Sequence, residues 1–181
     1  DLTLYPDVHY IVTSTLLIPT GVTLTILPGA TIKFKDYTGF NCQGTLVANG
    51  TPGNMITFTK TDLGLGNITT FKINSNTLSY ARFDNLTFPG GGIDAGFENT
   101  NVSSKAIYSN CIYTNIQGGY PWYYGKYNHC VMTNCVSRSA LTATYATATS
   151  TKNNCNIINN SHPGTLYFSL KEFSSSNLFG N

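Results

Sequence analysis

A five-residue frame recurs along the chain and constrains its fold more than any other feature. Cys111-Ile112-Tyr113-Thr114-Asn115, Cys130-Val131-Met132-Thr133-Asn134 and Cys155-Asn156-Ile157-Ile158-Asn159 each read cysteine, any residue, large apolar, any residue, asparagine. With a different first residue the frame also fits Ile32-Lys33-Phe34-Lys35-Asp36, Ile56-Thr57-Phe58-Thr59-Lys60, Ala81-Arg82-Phe83-Asp84-Asn85 and Asn177-Leu178-Phe179-Gly180-Asn181. Frames thus start at 32, 56, 81, 111, 130, 155 and 177, an irregular period within the range of solenoid repeats.

Inside each frame apolar and polar residues alternate, the period of a strand with one buried face. Cys130 and Met132 should point inward, Val131 and Thr133 outward. Val22, Leu24 and Ile26 alternate with Thr23 and Thr25, and Leu141, Ala143 and Tyr145 alternate with Thr142 and Thr144. Gly and Asn fall between the runs, where tight corners need a positive φ. Helical spacing is hard to find anywhere. Short strands repeated in this way predict an all-β chain, a single domain over residues 1–181 that stacks its coils as a parallel β-solenoid.

Composition narrows the partners. Apolar residues make up 41% of the 181, ample for a core, but only 10% are charged, against about 25% in an average soluble domain. The net charge is +2 with no Lys/Arg cluster, which gives little basis for holding a phosphate backbone, so no nucleic acid is expected. No apolar run approaches the roughly 18 residues of a membrane span. A first residue of Asp rather than Met predicts a processed, secreted protein, located outside the cell or at its surface.

The segments "GVTLTILPGATIKF" and "GTLVANGTPGNMITFT" resemble the opening coils of secreted right-handed parallel β-helix proteins of the pectate-lyase-like type, and "LSYARFDN", "IYSNCIYTN" and "NNCNIINN" resemble their inner coils. The resemblance implies a single-stranded right-handed parallel β-helix, about seven to eight coils spaced about 4.8 Å apart. Residues 1–21 would form an N-terminal cap and the first strand. In that family a corner Asn stacks into a side-chain ladder, and Asn85, Asn115, Asn134, Asn159 and Asn181 would be its rungs here. Asp36 and Lys60 depart from the pattern, so the ladder should stop short of the first coils.

The five cysteines, Cys42, Cys111, Cys130, Cys135 and Cys155, lack the paired spacing of a zinc site, and the three His are scattered, so neither a metal nor a cofactor is expected. Cys111, Cys130 and Cys155 share the interior position of the frame. Two outcomes stay open: buried free thiols acting as small apolar groups, or at least one disulfide, since stacked coils come within bonding range but with poor torsion geometry.

Enzymes on the resembled scaffold are mainly polysaccharide lyases and hydrolases, and glycosidic chemistry asks for two carboxylates across a cleft. This chain has eight Asp and Glu in all. The best local group is Asp84 with Asp94 and Glu98 of the insertion "FPGGGIDAGFENTN", with Arg82 and Lys105 as positive partners. The bland alternative makes Asp84 and Arg82 outward strand residues and the insertion a decorated turn, and the chain is read as non-enzymatic. The stretch "GGYPWYYGKY" gathers Tyr120, Trp122, Tyr123, Tyr124 and Tyr127, which either pack within the coil, contact a neighbouring subunit, or stack on a sugar. Thr-x-Thr pairs do not align into a threonine array in this frame, which argues against ice binding. Asn49, Asn67 and Asn101 begin glycosylation sequons, as do Asn85 and Asn159, whose ladder role would hide them if their amides were buried.

A solenoid needs its ends covered. The last frame closes on Asn181 with no amphipathic helix behind it, so either the protein continues or another chain supplies the cover. The resulting expectation is a structural or adhesive element of an extracellular fibre, self-associating through its ends. The alternative is a carbohydrate-active enzyme or glycan-binding module.

Overall fold

The computed structural model describes residues 1–89, 97, 106–118, 125–137, 150–158, 173–174 and 177–179. Every regular element among them is a β-strand, and every strand pairing is parallel. Eight strands form one sheet in sequence order: Leu2–Leu4, Thr23–Ile26, Thr45–Asn49, Thr77–Ser79, Ile107–Ser109, Gly125–Asn128, Ser150–Asn153 and Phe173–Ser174. Eight others form a second: His9–Val12, Thr31–Phe34, Ile56–Lys60, Ala81–Asp84, Ile112–Thr114, Val131–Thr133, Asn156–Ile158 and Asn177–Phe179. A third side is shared by Leu16–Ile18, Thr38–Cys42 and Ile68–Lys72, then by Thr87–Phe88, Gln117–Gly118 and Val136–Ser137. The chain visits the sheets in rotation and stacks on itself as a parallel β-solenoid.

Alternation decides which side chains meet inside. In the second sheet Ile32, Phe58, Phe83, Tyr113 and Met132 lie in register and are fully buried. The Phe58 and Phe83 rings stack 5.0 Å apart, and Phe83 on Tyr113 4.9 Å apart. The first sheet supplies Ile26, Ala48, Leu78, Tyr108 and Tyr127, and Phe40 stacks on Phe71 at 4.8 Å on the third side. These spacings follow the strand repeat of about 4.8 Å, so each ring finds the one above it at stacking distance without special geometry.

Corners explain the frame. Tyr80, Asn110, His129 and Asn154 adopt left-handed φ (49°, 55°, 53° and 51°) between the first and second sheets, and Asn85, Asn115 and Asn134 do so (57°, 55°, 54°) after the second. Asn visits this region at lower cost than most residues because its short amide bonds locally. The residue after each bend points inward. Ala81, Cys111, Cys130 and Cys155 are buried after the first set, and Leu86, Ile116 and Cys135 after the second.

Three expectations need correction. Ile32 pairs with Phe58, not Ile56, so Ala30 rather than Ile32 takes the place of Ile56 and the first frame is displaced by two residues. A slip of two preserves inward and outward faces, so alternation cannot detect it. At the other end Asn156 pairs with Asn177, which displaces the last frame by one, and the Asn177 amide donates to Asn156 Oδ1 at 2.9 Å. The Asn181 rung was drawn from that displaced frame, and Asn181 itself lies outside the described residues. Finally, the segment 1–21, expected to form a cap and the first strand, supplies three paired strands, Leu2–Leu4, His9–Val12 and Leu16–Ile18, as a coil of the stack.

Candidate functional site

The most distinctive surface is the outer face of that first coil. Its three strands pair on one side only among the described residues, leaving a row of backbone N–H and C=O groups at the other edge. Within the ring they enclose, a hollow of about 460 Å³ opens, lined by Leu2, Leu4, Tyr10, Val12, Leu16 and Ile32 together with the Thr13–Thr15 bend. Leu2, Ile11 and Leu17 on its margin are each about half exposed. Deeper coils fill the same space with the next layer of apolar side chains. The first coil therefore presents the same apolar interior and the same hydrogen-bonding edge that the inner coils bury against a neighbour.

Of the proposed carboxylate group, Asp84 lies among the described residues, and its partner is local. Arg82 and Asp84 are two apart on one strand and project from the same face, and Arg82 Nε donates to Asp84 Oδ2 at 2.5 Å. Arg82 is about half exposed, so the pair contributes little to stability. Asp84 Oδ1 is buried without a hydrogen-bond partner. Asp94, Glu98 and Lys105 lie outside the described residues, and among those described no three His, Cys, Asp or Glu gather as a metal site.

Of the three outcomes open for the aromatic stretch, Tyr127 takes packing within the coil. It occupies an inward position of Gly125–Asn128, is fully buried and stacks on Tyr108 at 5.1 Å, so it contacts the core rather than a ligand or subunit. The same two-residue alternation that serves every strand turns it inward. Tyr120, Trp122, Tyr123 and Tyr124 lie outside the described residues.

All five cysteines are buried free thiols. Cys111, Cys130 and Cys155 donate to the carbonyl two residues back (3.4, 3.4 and 3.5 Å) and to one in the preceding coil (3.7, 3.5 and 3.3 Å), giving the inward corner carbonyls a weak partner that alanine could not supply. Burial pushes the Cys135 thiol up to about 12 and the Cys130 thiol well above the ordinary range, so neither is a nucleophile at neutral pH.

Asn115 Nδ2 donates to Asn85 Oδ1 at 2.9 Å on the outside of the stack, where Asn85, Asn115 and Asn134 are exposed. The register opposes Asn85 with Lys60, and Lys60 Nζ donates instead to Gly64 O at 2.7 Å. A second amide contact, Asn153 Nδ2 to Asn128 Oδ1 at 2.9 Å, was not anticipated from the frame. Of the sequon residues, Asn49 is exposed with Oδ1 accepting from Ser79 Oγ at 2.8 Å, and Asn67 is half-buried. Asn101 and Asn159 lie outside the described residues.

Sequence reasoning also missed the apolar residues that face solvent. Tyr37, Leu63 and Leu65 are the most exposed large apolar side chains among those described. Tyr37 holds a φ of 63°, a conformation costing a non-glycine residue about 1–2 kcal/mol. The cue was present in "TDLGLGN", two leucines flanked by glycines, where neither strand nor helix period applies.

No family model matches the chain, and neither curated proteins nor solved structures give a significant match.

Proposed function

We propose that this chain is a non-enzymatic, extracellular structural or adhesive protein that stacks end to end as a subunit of a surface fibre. The observation carrying this reading is the outer face of the first coil, a three-strand edge without a partner strand among the described residues, around an apolar hollow. Its occupant is the opposite end of a second copy. Two of the three sheets that begin with an edge strand here end, among the described residues, in Phe173–Ser174 and Asn177–Phe179, built from the same coil plan. Joining such ends continues both sheets with parallel hydrogen bonds, and because the two surfaces differ the contact is heterologous and propagates.

The finer features belong to the same reading. The coil is right-handed and of the pectate-lyase-like type, with about seven to eight turns at the usual strand spacing, and exposed sequons such as Asn49 carry glycan where the producing cell attaches it. The carbohydrate-active alternative has less support, since Asp84 is tied to Arg82 and Tyr127 is in the core.

Electron microscopy and sedimentation of the full chain over a concentration series test the proposal. We expect filaments that grow with concentration, and their loss when Ile11→Lys and Leu17→Lys place charges on the margin of the hollow. A wild type that stays monodisperse at high concentration overturns it. So does a longer natural chain whose preceding segment forms a coil on this face.

A further inference from the structure

The loop joining Ile56–Lys60 to Ile68–Lys72 is clamped from several sides. The Asp36 carboxylate accepts the N–H groups of Leu65 (3.0 Å) and Asn67 (2.8 Å), and these bonds hold its pKa below the usual carboxylate value. Gly64 N–H closes a turn on Thr61 O at 3.0 Å, and Lys60 Nζ fixes Gly64 O from the other side at 2.7 Å. Lys33 Nζ bonds Asp62 Oδ1 at 2.7 Å, and Tyr37 N–H donates to Asn67 O at 2.6 Å. What this framework holds up is apolar: Leu63 is 101% exposed, Leu65 75% and Tyr37 71%.

Isolated exposed leucines are ordinary surface features. Here two of them and a tyrosine stand on adjoining segments whose backbone is already ordered, so little conformational freedom remains to be lost when they are buried. The loop is an outward projection, with Leu63 showing no burial against its own chain. A fluid apolar phase accepts such a projection without needing a matching pocket. The charges beneath the tip, Lys33, Lys35 and Lys60 against Asp36 and Asp62, leave a small positive excess, and Lys35 is exposed beside Tyr37.

We propose that this tip is an insertion site for the interfacial region of a lipid bilayer, with Leu63 and Leu65 entering the acyl boundary, Tyr37 at headgroup level and Lys35 toward lipid phosphates. Binding is driven by the apolar side chains, and anionic lipid adds a modest increment. The site is separate from the first coil's open face, so it stands or falls independently of fibre formation.

Sedimentation of the full chain with phosphatidylcholine vesicles, alone and with a minority of phosphatidylglycerol, tests it. We expect binding to both, stronger with the anionic lipid, and a reduction of about tenfold or more on Leu63→Asp, from loss of one buried leucine. Lys35→Glu should weaken only the anionic increment. Leu63 is fully exposed, so Leu63→Asp leaves the fold intact, checked by an unchanged melting curve. A Leu63→Trp variant adds a direct readout, a blue-shifted emission in the presence of vesicles. Absent binding, or binding indifferent to Leu63→Asp, overturns the proposal, as does a Leu63→Asp defect confined to self-association, which marks a contact between protein copies.

Discussion

The coils before Ile73 and those after Asn76 stack in the same parallel register but turn their corners by different means. Early corners rely on Gly21, Gly29 and Gly66 at φ of 84° to 85°, with the strained Tyr37 and the clamped 61–67 loop. Later ones place Asn, His or, at one corner, Tyr80 in the left-handed region and follow it with a small or aliphatic inward residue. At Gly66 the corner also depends on space, since a Cβ there would lie 2.2 Å from Asn85 O, whereas at Gly21 a Cβ would meet nothing within 4 Å and only the positive φ favours glycine. Asparagine corners combine a left-handed backbone with side-chain bonding, as between Asn115 and Asn85. A turn made by absence of a side chain leaves no mark on the residues around it, whereas one made by Asn writes itself into a repeating frame.

The largest expected effect comes from the core both regions share. Phe83 packs its ring 5.0 Å from Phe58 and from Phe71 on one side, and 4.9 Å from Phe97 and Tyr113 on the other. Phe83→Ala should cost about 3–5 kcal/mol in urea unfolding, by lost burial plus a cavity. A second transition appearing in that variant would show that the ring coupled the two regions.

Corner substitutions should separate the two mechanisms. Gly66→Ala meets both the backbone of Asn85 and an unfavourable φ, and should lose about 2–3 kcal/mol. Asn115→Ala should lose about 1–2 kcal/mol for its left-handed backbone, while Asn115→Gly, relieved of that cost, should stay nearer wild type. If Asn115→Gly proves as damaging as Asn115→Ala, the amide ladder, not the backbone, governs the later corners.

Alkaline stability sharpens the contrast, since four of the five thiols lie in the later coils. A buried thiol with a raised pKa contributes stability that is complete below the unfolded value of about 8.5. That contribution falls as pH climbs toward the value of about 12 for Cys135. Denaturation curves across this window should show the decline, and Cys135→Ala should flatten part of it.

The smallest effect belongs to the early corner at Asp36. Its pKa is lowered chiefly by the Leu65 and Asn67 N–H groups, so the contribution is present above the ordinary carboxylate value and lost as pH falls through the lowered one. Hydrogen exchange at Leu65 and Asn67 should accelerate at the acid end, and Asp36→Asn should remove that pH dependence.

Much of this was legible in advance, and unevenly. Alternation identified strands and their inward residues, Cys130 and Met132 among them, because a buried face imposes a period of two. It could not see the two-residue displacement at Ile32, which leaves that period intact. Tyr127 is grouped with its aromatic neighbours in the sequence, where packing, subunit contact and sugar stacking all stay open, yet its parity already turned it inward. Asp84 and Arg82 shared a strand face in the sequence, but only the folded chain brought them into one ion pair. Tyr37 and Leu65 are far apart along the chain and became neighbours through Asp36 and Asn67.

The amino-acid order by itself determined an all-β, repeating chain with Cys111, Cys130 and Cys155 inside and amides at the bends, since local parity and left-handed propensity act within a few residues. Tertiary structure decided the register between coils, the partners of each charge and which apolar groups remain in water. Those depend on loop lengths and on contacts twenty to thirty residues away, as in the Lys33–Asp62 pair, where no local periodicity reaches.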